Sequence, residues 1–102
     1  MTEMAKLAEK LMRNKIPFEI VYMDKEIFSR CGESVPQLWY PNRKRPVCDV
    51  ICHKFSYGGD RGLLEIMGLT DDEDVEGYLT SEDVFKKIYA HYEKMLDKRH
   101  KV

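Results

Sequence analysis

Apolar residues recur along this chain with two different periods. Met4, Leu7, Ala8 and Leu11 follow the three-and-four spacing of one helical face, while Lys6, Glu9, Lys10 and Arg13 fall elsewhere on the wheel. Thr2 is suited to cap that helix and Asn14, tolerant of the left-handed conformation, to end it before Pro17 forbids continuation. From residue 18 the period changes to two. Phe18, Ile20 and Tyr22 alternate with Glu19, Val21 and Met23, which reads as a strand. A second extended piece is read over 26–31, followed by a turn at Gly32, Glu33 and Ser34. Residues 37–40 form a short strand between Pro36 and Pro41, and the two prolines place it at a sheet edge or keep it very short. The strongest strand, 47–55, places Cys48, Val50 and Cys52 on one face. Val47, Ile51 and Phe55 share the other with Asp49 and His53, so this strand is expected at the centre of a sheet, covered on both faces. After a glycine-rich connection over 56–62, residues 63–67 read as a strand paired back as a hairpin, with a helix as the alternative.

The last segment returns to the helical period. Phe85, Ile88, Tyr89, Tyr92, Met95 and Leu96 form an apolar stripe. Thr80 caps it, with Asp83 in the third helical position as a variant capping box. Glu82 and Asp83 at its start and Lys98, Arg99 and His100 at its end complement the helix dipole. Strands in a run between two helices imply an α+β fold: a mostly antiparallel sheet of about four strands with an N-terminal and a C-terminal helix, both able to pack on one face. No repeat or linker divides the chain, so residues 1–102 are read as a single domain, in keeping with the length of 102 residues.

Composition then removes several function classes. With 43% hydrophobic and 34% charged residues the chain retains too much apolar character to be disordered. Lys plus Arg is 17 and Asp plus Glu 18, so the formal charge of −1 argues against a duplex-DNA coat. No apolar run is long enough to span a bilayer, and Met1 to Asn14 lack the core of a signal peptide. Three cysteines close no disulfide framework and point to a reducing, cytoplasmic compartment.

Five groups of residues are weighed for a chemical reading. In Tyr57, Gly58, Gly59, Asp60 and Arg61, glycines would let backbone donors approach an anion and Arg61 would add a guanidinium fork; the competing reading is a hairpin turn needing positive φ. Trp39, Tyr40, Arg43, Lys44 and Arg45 combine the aromatic and basic types that anchor interfaces, with a protein partner placed ahead of nucleic acid by the net charge. From Asp72 onward, Asp72, Asp74, Glu76, Gly77 and Leu79 fall at positions one, three, five, six and eight of an EF-hand-like Ca²⁺ loop. Glu at the fifth position and Asp83 at the twelfth depart from that pattern, and a solvated acidic loop leading to a cap competes with it. Cys31, Cys48, Cys52 and His53 raise zinc, but two strand cysteines four residues apart lie ~13 Å apart at ~3.3 Å per residue. They read as free cysteines, so no metal or other cofactor is expected. Asp49, His53, Asp60 and Glu65 form no nucleophile–base–orienter set, and Cys52 and His53 point to opposite faces, so no enzyme is expected.

Three stretches carry a resemblance: Trp39-Tyr40-Pro41 with Val47-Cys48-Asp49-Val50-Ile51-Cys52-His53; Ser56-Tyr57-Gly58-Gly59 through Gly62-Leu63-Leu64-Glu65-Ile66-Met67-Gly68; and Gly77-Tyr78-Leu79-Thr80 through Val84-Phe85. Together they resemble small proteins encoded by phages and prophages of Gram-positive bacteria, over about two thirds of the chain from Trp39 onward. The resemblance brings no activity, cofactor or catalytic residue with it. It implies a context: an accessory protein in the host bacterial cytoplasm that binds a host protein stoichiometrically, for example a defence protein such as a CRISPR effector. Sequestering a nucleotide or other small anion, as a homo-oligomer if need be, is the alternative, with the glycine-rich loop as its site. A Ca²⁺-binding module is a further one.

Overall fold

The computed structural model describes residues 1–23, 35–53, 56–70 and 75–100. The order is α1 (Glu3–Arg13), β1 (Glu19–Met23), β2 (Val35–Tyr40), β3 (Cys48–Ile51), a short 3₁₀ turn (Gly59–Arg61), β4 (Leu64–Met67), β5 (Val75–Leu79) and α2 (Ser81–His100). The fold is α+β. Among the described residues the sheet has five strands in chain order, one more than the patterning shows, and every pairing is antiparallel.

The sheet's core is set by register. Ile20 lies opposite Leu38, Leu38 opposite Val50, and Val50 opposite Ile66. These residues share one face, and α1 and α2 cover it. Leu7 and Leu11 from α1, Val84 and Ile88 from α2, and Leu38, Val50, Leu64 and Ile66 from the sheet are all fully buried. Dispersion and the removal of apolar surface from water hold the helix layer on the sheet. Polar contacts fix how the helices meet: Lys10 Nζ lies 2.9 Å from Glu82 Oε2, and the Ser81 amide donates to Glu3 Oε1 at 3.2 Å.

Helix boundaries follow the capping chemistry with one change. Thr2 Oγ1 accepts from the Ala5 amide, as the sequence predicts. At the other end Asn14 keeps φ −96°, and the left-handed residue is Lys15 at φ 57°. The Lys15 amide bonds to the Met12 carbonyl and the Ile16 amide to the Leu11 carbonyl, the paired bonds of a Schellman motif built on a lysine. Ile16 is then buried, and that hydrophobic contact offsets the left-handed strain. At α2, Asp83 Oδ2 accepts from both the Thr80 amide and the Thr80 hydroxyl, while the Asp83 amide donates back to Thr80 Oγ1.

Three expectations need correction. β2 is not an edge strand; it sits between β1 and β3. The ladder to β3 begins only at Gln37, so Pro36 lies beyond it and its missing donor breaks no bond there. β3 is central, but both helices pack on the same side, so Asp49 and Ile51 on its other face are half-buried. The fifth strand, β5, falls where the acidic loop is expected to continue. The extended piece over 26–31, the turn at 32–34 and Phe55 lie outside the described residues.

Candidate functional site

Strand parity separates the two aromatic residues of the basic cluster. On β2, Tyr40 shares the helix-covered face with Leu38, whereas Trp39 points to the opposite face. Trp39 lies between Glu19 on β1 and Asp49 on β3, and its indole N–H has no hydrogen-bond partner among the described residues. Beside it the Gln37 amide donates to Asp49 Oδ2 at 2.9 Å. Tyr40 is only 2% exposed, so it is no surface contact residue in its own right. Trp39 and Tyr40 therefore do not share one contact surface.

Tyr40 instead makes the floor of a groove. Its hydroxyl lies 2.7 Å from Nδ1 of His91, and the two rings meet edge to face at 5.5 Å. Burial, with smaller contributions from Cys48 and Tyr92, pushes the Tyr40 phenol up to about 12, which keeps it a neutral hydrogen-bonding group. Pro17, Pro41, Val47, Tyr92, Met95 and Leu96 complete the walls around a volume of about 150 Å³. His91 was not among the sequence candidates. Its signal is the spacing 84–88–91–95, which puts it on the stripe that buries Val84 and Ile88.

The turn beside the groove is held by its own backbone. The Tyr40–Pro41 peptide bond is cis. Asn42 Oδ1 accepts from the Arg45 amide at 2.8 Å, and the Tyr40 carbonyl accepts from the Val47 amide at 2.7 Å. The Arg43 amide reaches Glu19 Oε1 at 3.4 Å. These bonds present Arg43, Lys44 and Arg45 at the apex, all exposed, and no described carboxylate forms an ion pair with any of them.

The glycine-rich loop closes on itself. The amides of Gly59, Arg61, Gly62 and Leu63 donate to the carbonyls of Ser56, Gly58, Gly59 and Gly58 respectively. Those donors are not available to an anion. The Tyr57 carbonyl accepts from the Tyr78 amide, and the Tyr57 backbone draws the pKa of the Glu65 carboxyl down. Burial nevertheless raises the Glu65 carboxyl above its ordinary range, and the nearby Asp49 charge adds to that rise. A Cβ on Gly59 would overlap the His53 carbonyl oxygen. Asp60 and Arg61 are exposed, and Tyr57 is 62% exposed.

The strand assignment places part of the Ca²⁺-loop candidate in the sheet. Glu76, Gly77 and Leu79 belong to β5, extended rather than wrapped. Glu76 Oε2 pairs with Lys87 Nζ at 3.0 Å, and Asp83 is engaged by Thr80. Asp72 and Asp74 lie outside the described residues, as does Cys31. Among the described residues no group of three or more His, Cys, Asp or Glu is placed to hold a metal ion. Cys48 is buried and Cys52 half-buried, both as free thiols. Burial pushes the Cys48 thiol up to about 12, with help from the Asp49 charge, and raises Cys52. Among the described residues no helix is long and apolar enough to cross a membrane. No protein family, curated protein or solved structure matches the chain.

Proposed function

We propose that this chain is a phage-type accessory protein that binds a host protein and inhibits it stoichiometrically, with a defence protein such as a CRISPR effector as the expected class of target. The observation that carries the reading is the turn at Arg43, Lys44 and Arg45: three exposed cations on a backbone fixed by hydrogen bonds at Asn42 and Val47. A pre-ordered basic knuckle loses little conformational entropy when it docks. Unpaired exposed cations also steer association with an acidic surface. The resemblance from Trp39 onward supplies the phage context, and with it the bacterial cytoplasm as the place of action.

The test is capture from a Gram-positive host lysate by the wild-type chain and by the Arg43→Glu, Lys44→Glu, Arg45→Glu triple. The three side chains are exposed, so the triple should fold with a stability within about 1 kcal/mol of wild type. The wild type should retain one protein at equal molar ratio and titrate its activity to zero at one equivalent. The triple should retain none of it. Equal retention by the folded triple removes the turn from the interface and with it this reading.

A further inference from the structure

The apolar stripe of α2 outruns the core it serves. Val84 and Ile88 are fully buried, yet about two turns beyond Ile88 Met95 is 43% and Leu96 37% exposed at the mouth of the groove described above. A helix holds both side chains in place whether or not anything covers them. We propose that this groove takes one aromatic side chain of an acidic segment of the partner protein. The inference rests on the binding reading above and names the chemistry of the partner.

Three observations carry it. The volume of about 150 Å³ matches a dry apolar cavity able to hold a benzene-sized ring, and is too small for the several anchors of a docked helix. The segments that border it carry more basic than acidic residues: Lys15, Arg43, Lys44, Arg45, Lys94 and Lys98 against Glu19, Glu93 and Asp97, all exposed. An apolar anchor flanked by carboxylates complements both features at once. The groove's polarity also argues for a protein side chain over a nucleotide base. The polar side chains among its walls are Tyr40, His91 and Tyr92; the first two already bond to each other at 2.7 Å, and the Tyr92 hydroxyl donates to the Lys15 carbonyl at 3.5 Å. A base would leave several ring and exocyclic polar atoms buried without partners, whereas a phenyl ring has none to leave.

The probe is a fluorescein-labelled peptide with one phenylalanine flanked by glutamates, read by anisotropy at low salt. It should bind saturably, and replacing its phenylalanine with alanine should weaken binding by at least ~5-fold, the loss typical of an interface anchor. Leu96→Glu, a change at an exposed position that leaves the fold's circular dichroism intact, should weaken it by a similar factor. The charge-reversed turn should weaken it and flatten its salt dependence. Each of four results overturns the inference. Equal binding of the phenylalanine and alanine peptides makes the groove idle. No saturable binding up to millimolar peptide removes the site. Displacement by a thymidine oligonucleotide, lost in Leu96→Glu, assigns the groove to a base. Self-association in sedimentation that Leu96→Glu abolishes assigns it to a second copy of the chain. None of these touches the lysate capture by the basic turn, which stands or falls by its own triple variant.

Discussion

Gly59→Ala and Gly62→Ala look equivalent in the sequence, three residues apart in one loop, yet they should behave very differently. At Gly62, φ is +74° and nothing lies within 4 Å of an added Cβ. The substitution there introduces only left-handed strain, about 1–2 kcal/mol. At Gly59 the added carbon would occupy the space of the His53 carbonyl oxygen and press on Ser56 Oγ. That carbonyl is backbone and already accepts from the Ser56 amide at 2.9 Å and the Ser56 hydroxyl at 2.7 Å, so it has no rotamer to give. Relief requires moving the segment that enters the loop from β3, with those hydrogen bonds lost and an overpacked contact besides. Overpacking alone costs ~1–3 kcal/mol, and each buried hydrogen bond adds ~1. The sum, roughly 3–5 kcal/mol, is a large part of a small domain's stability. Thermal unfolding followed by circular dichroism reads the difference. At ~4–8 °C per kcal/mol, Gly59→Ala should lose well over 10 °C or fail to fold, and Gly62→Ala about 4–15 °C. A Gly59→Ala protein melting within a few degrees of wild type would refute the account of this loop as a tightly closed connection. Such a result would return the glycines to a ligand-binding reading.

Other substitutions test other links. Thr80→Ala removes the hydroxyl that bonds Asp83 in both directions and should destabilise α2 by ~1 kcal/mol, a drop of about 4–8 °C in Tm. The Cys48 thiol, pushed up to about 12 by burial from an ordinary 9.0, should resist a thiol reagent at pH 8 until the protein is unfolded. Because the folded state holds that proton more tightly than the unfolded chain, its stabilising contribution is complete below about pH 9 and declines toward pH 12. Cys48→Ala should flatten that alkaline slope in chemical denaturation, and an unchanged slope counts against the burial. Adding Ca²⁺ in place of a chelator should leave the Tm unmoved, since Glu76 is tied to Lys87 on an extended strand; a rise of several degrees contradicts this.

The parts of the fold that were legible are those where local chemistry and packing agree. Met4, Leu7 and Leu11 mark α1, and the Thr80–Asp83 box marks the start of α2. β5 was illegible because its period is broken. Gly77 lacks a side chain, Tyr78 sits at φ 59°, and the Tyr78 amide bonds to Tyr57 rather than extending the pairing with β4. The register slip between Leu64 and Ile66 belongs to the same irregularity. The end of α1 fell to Lys15 rather than Asn14 because burying Ile16 sets where the chain must turn. Of the proposed contact surface, Arg43, Lys44 and Arg45 were legible as an exposed basic turn. The split between Trp39 and Tyr40 follows from strand parity, but which of the two faces the helices emerges only once Leu38 is paired with Val50. The partnership of Tyr40 with His91 spans 51 residues and has no local signal at all.

Hydrogen–deuterium exchange of the chain, alone and with its captured host partner, tests the central claim most directly. The account predicts new protection in the turn carrying Arg43, Lys44 and Arg45 and in the α2 segment from His91 to Lys98, with the loop at Gly58 to Gly62 unchanged. Protection confined to that glycine loop, with the basic turn exchanging as in the free chain, would contradict it.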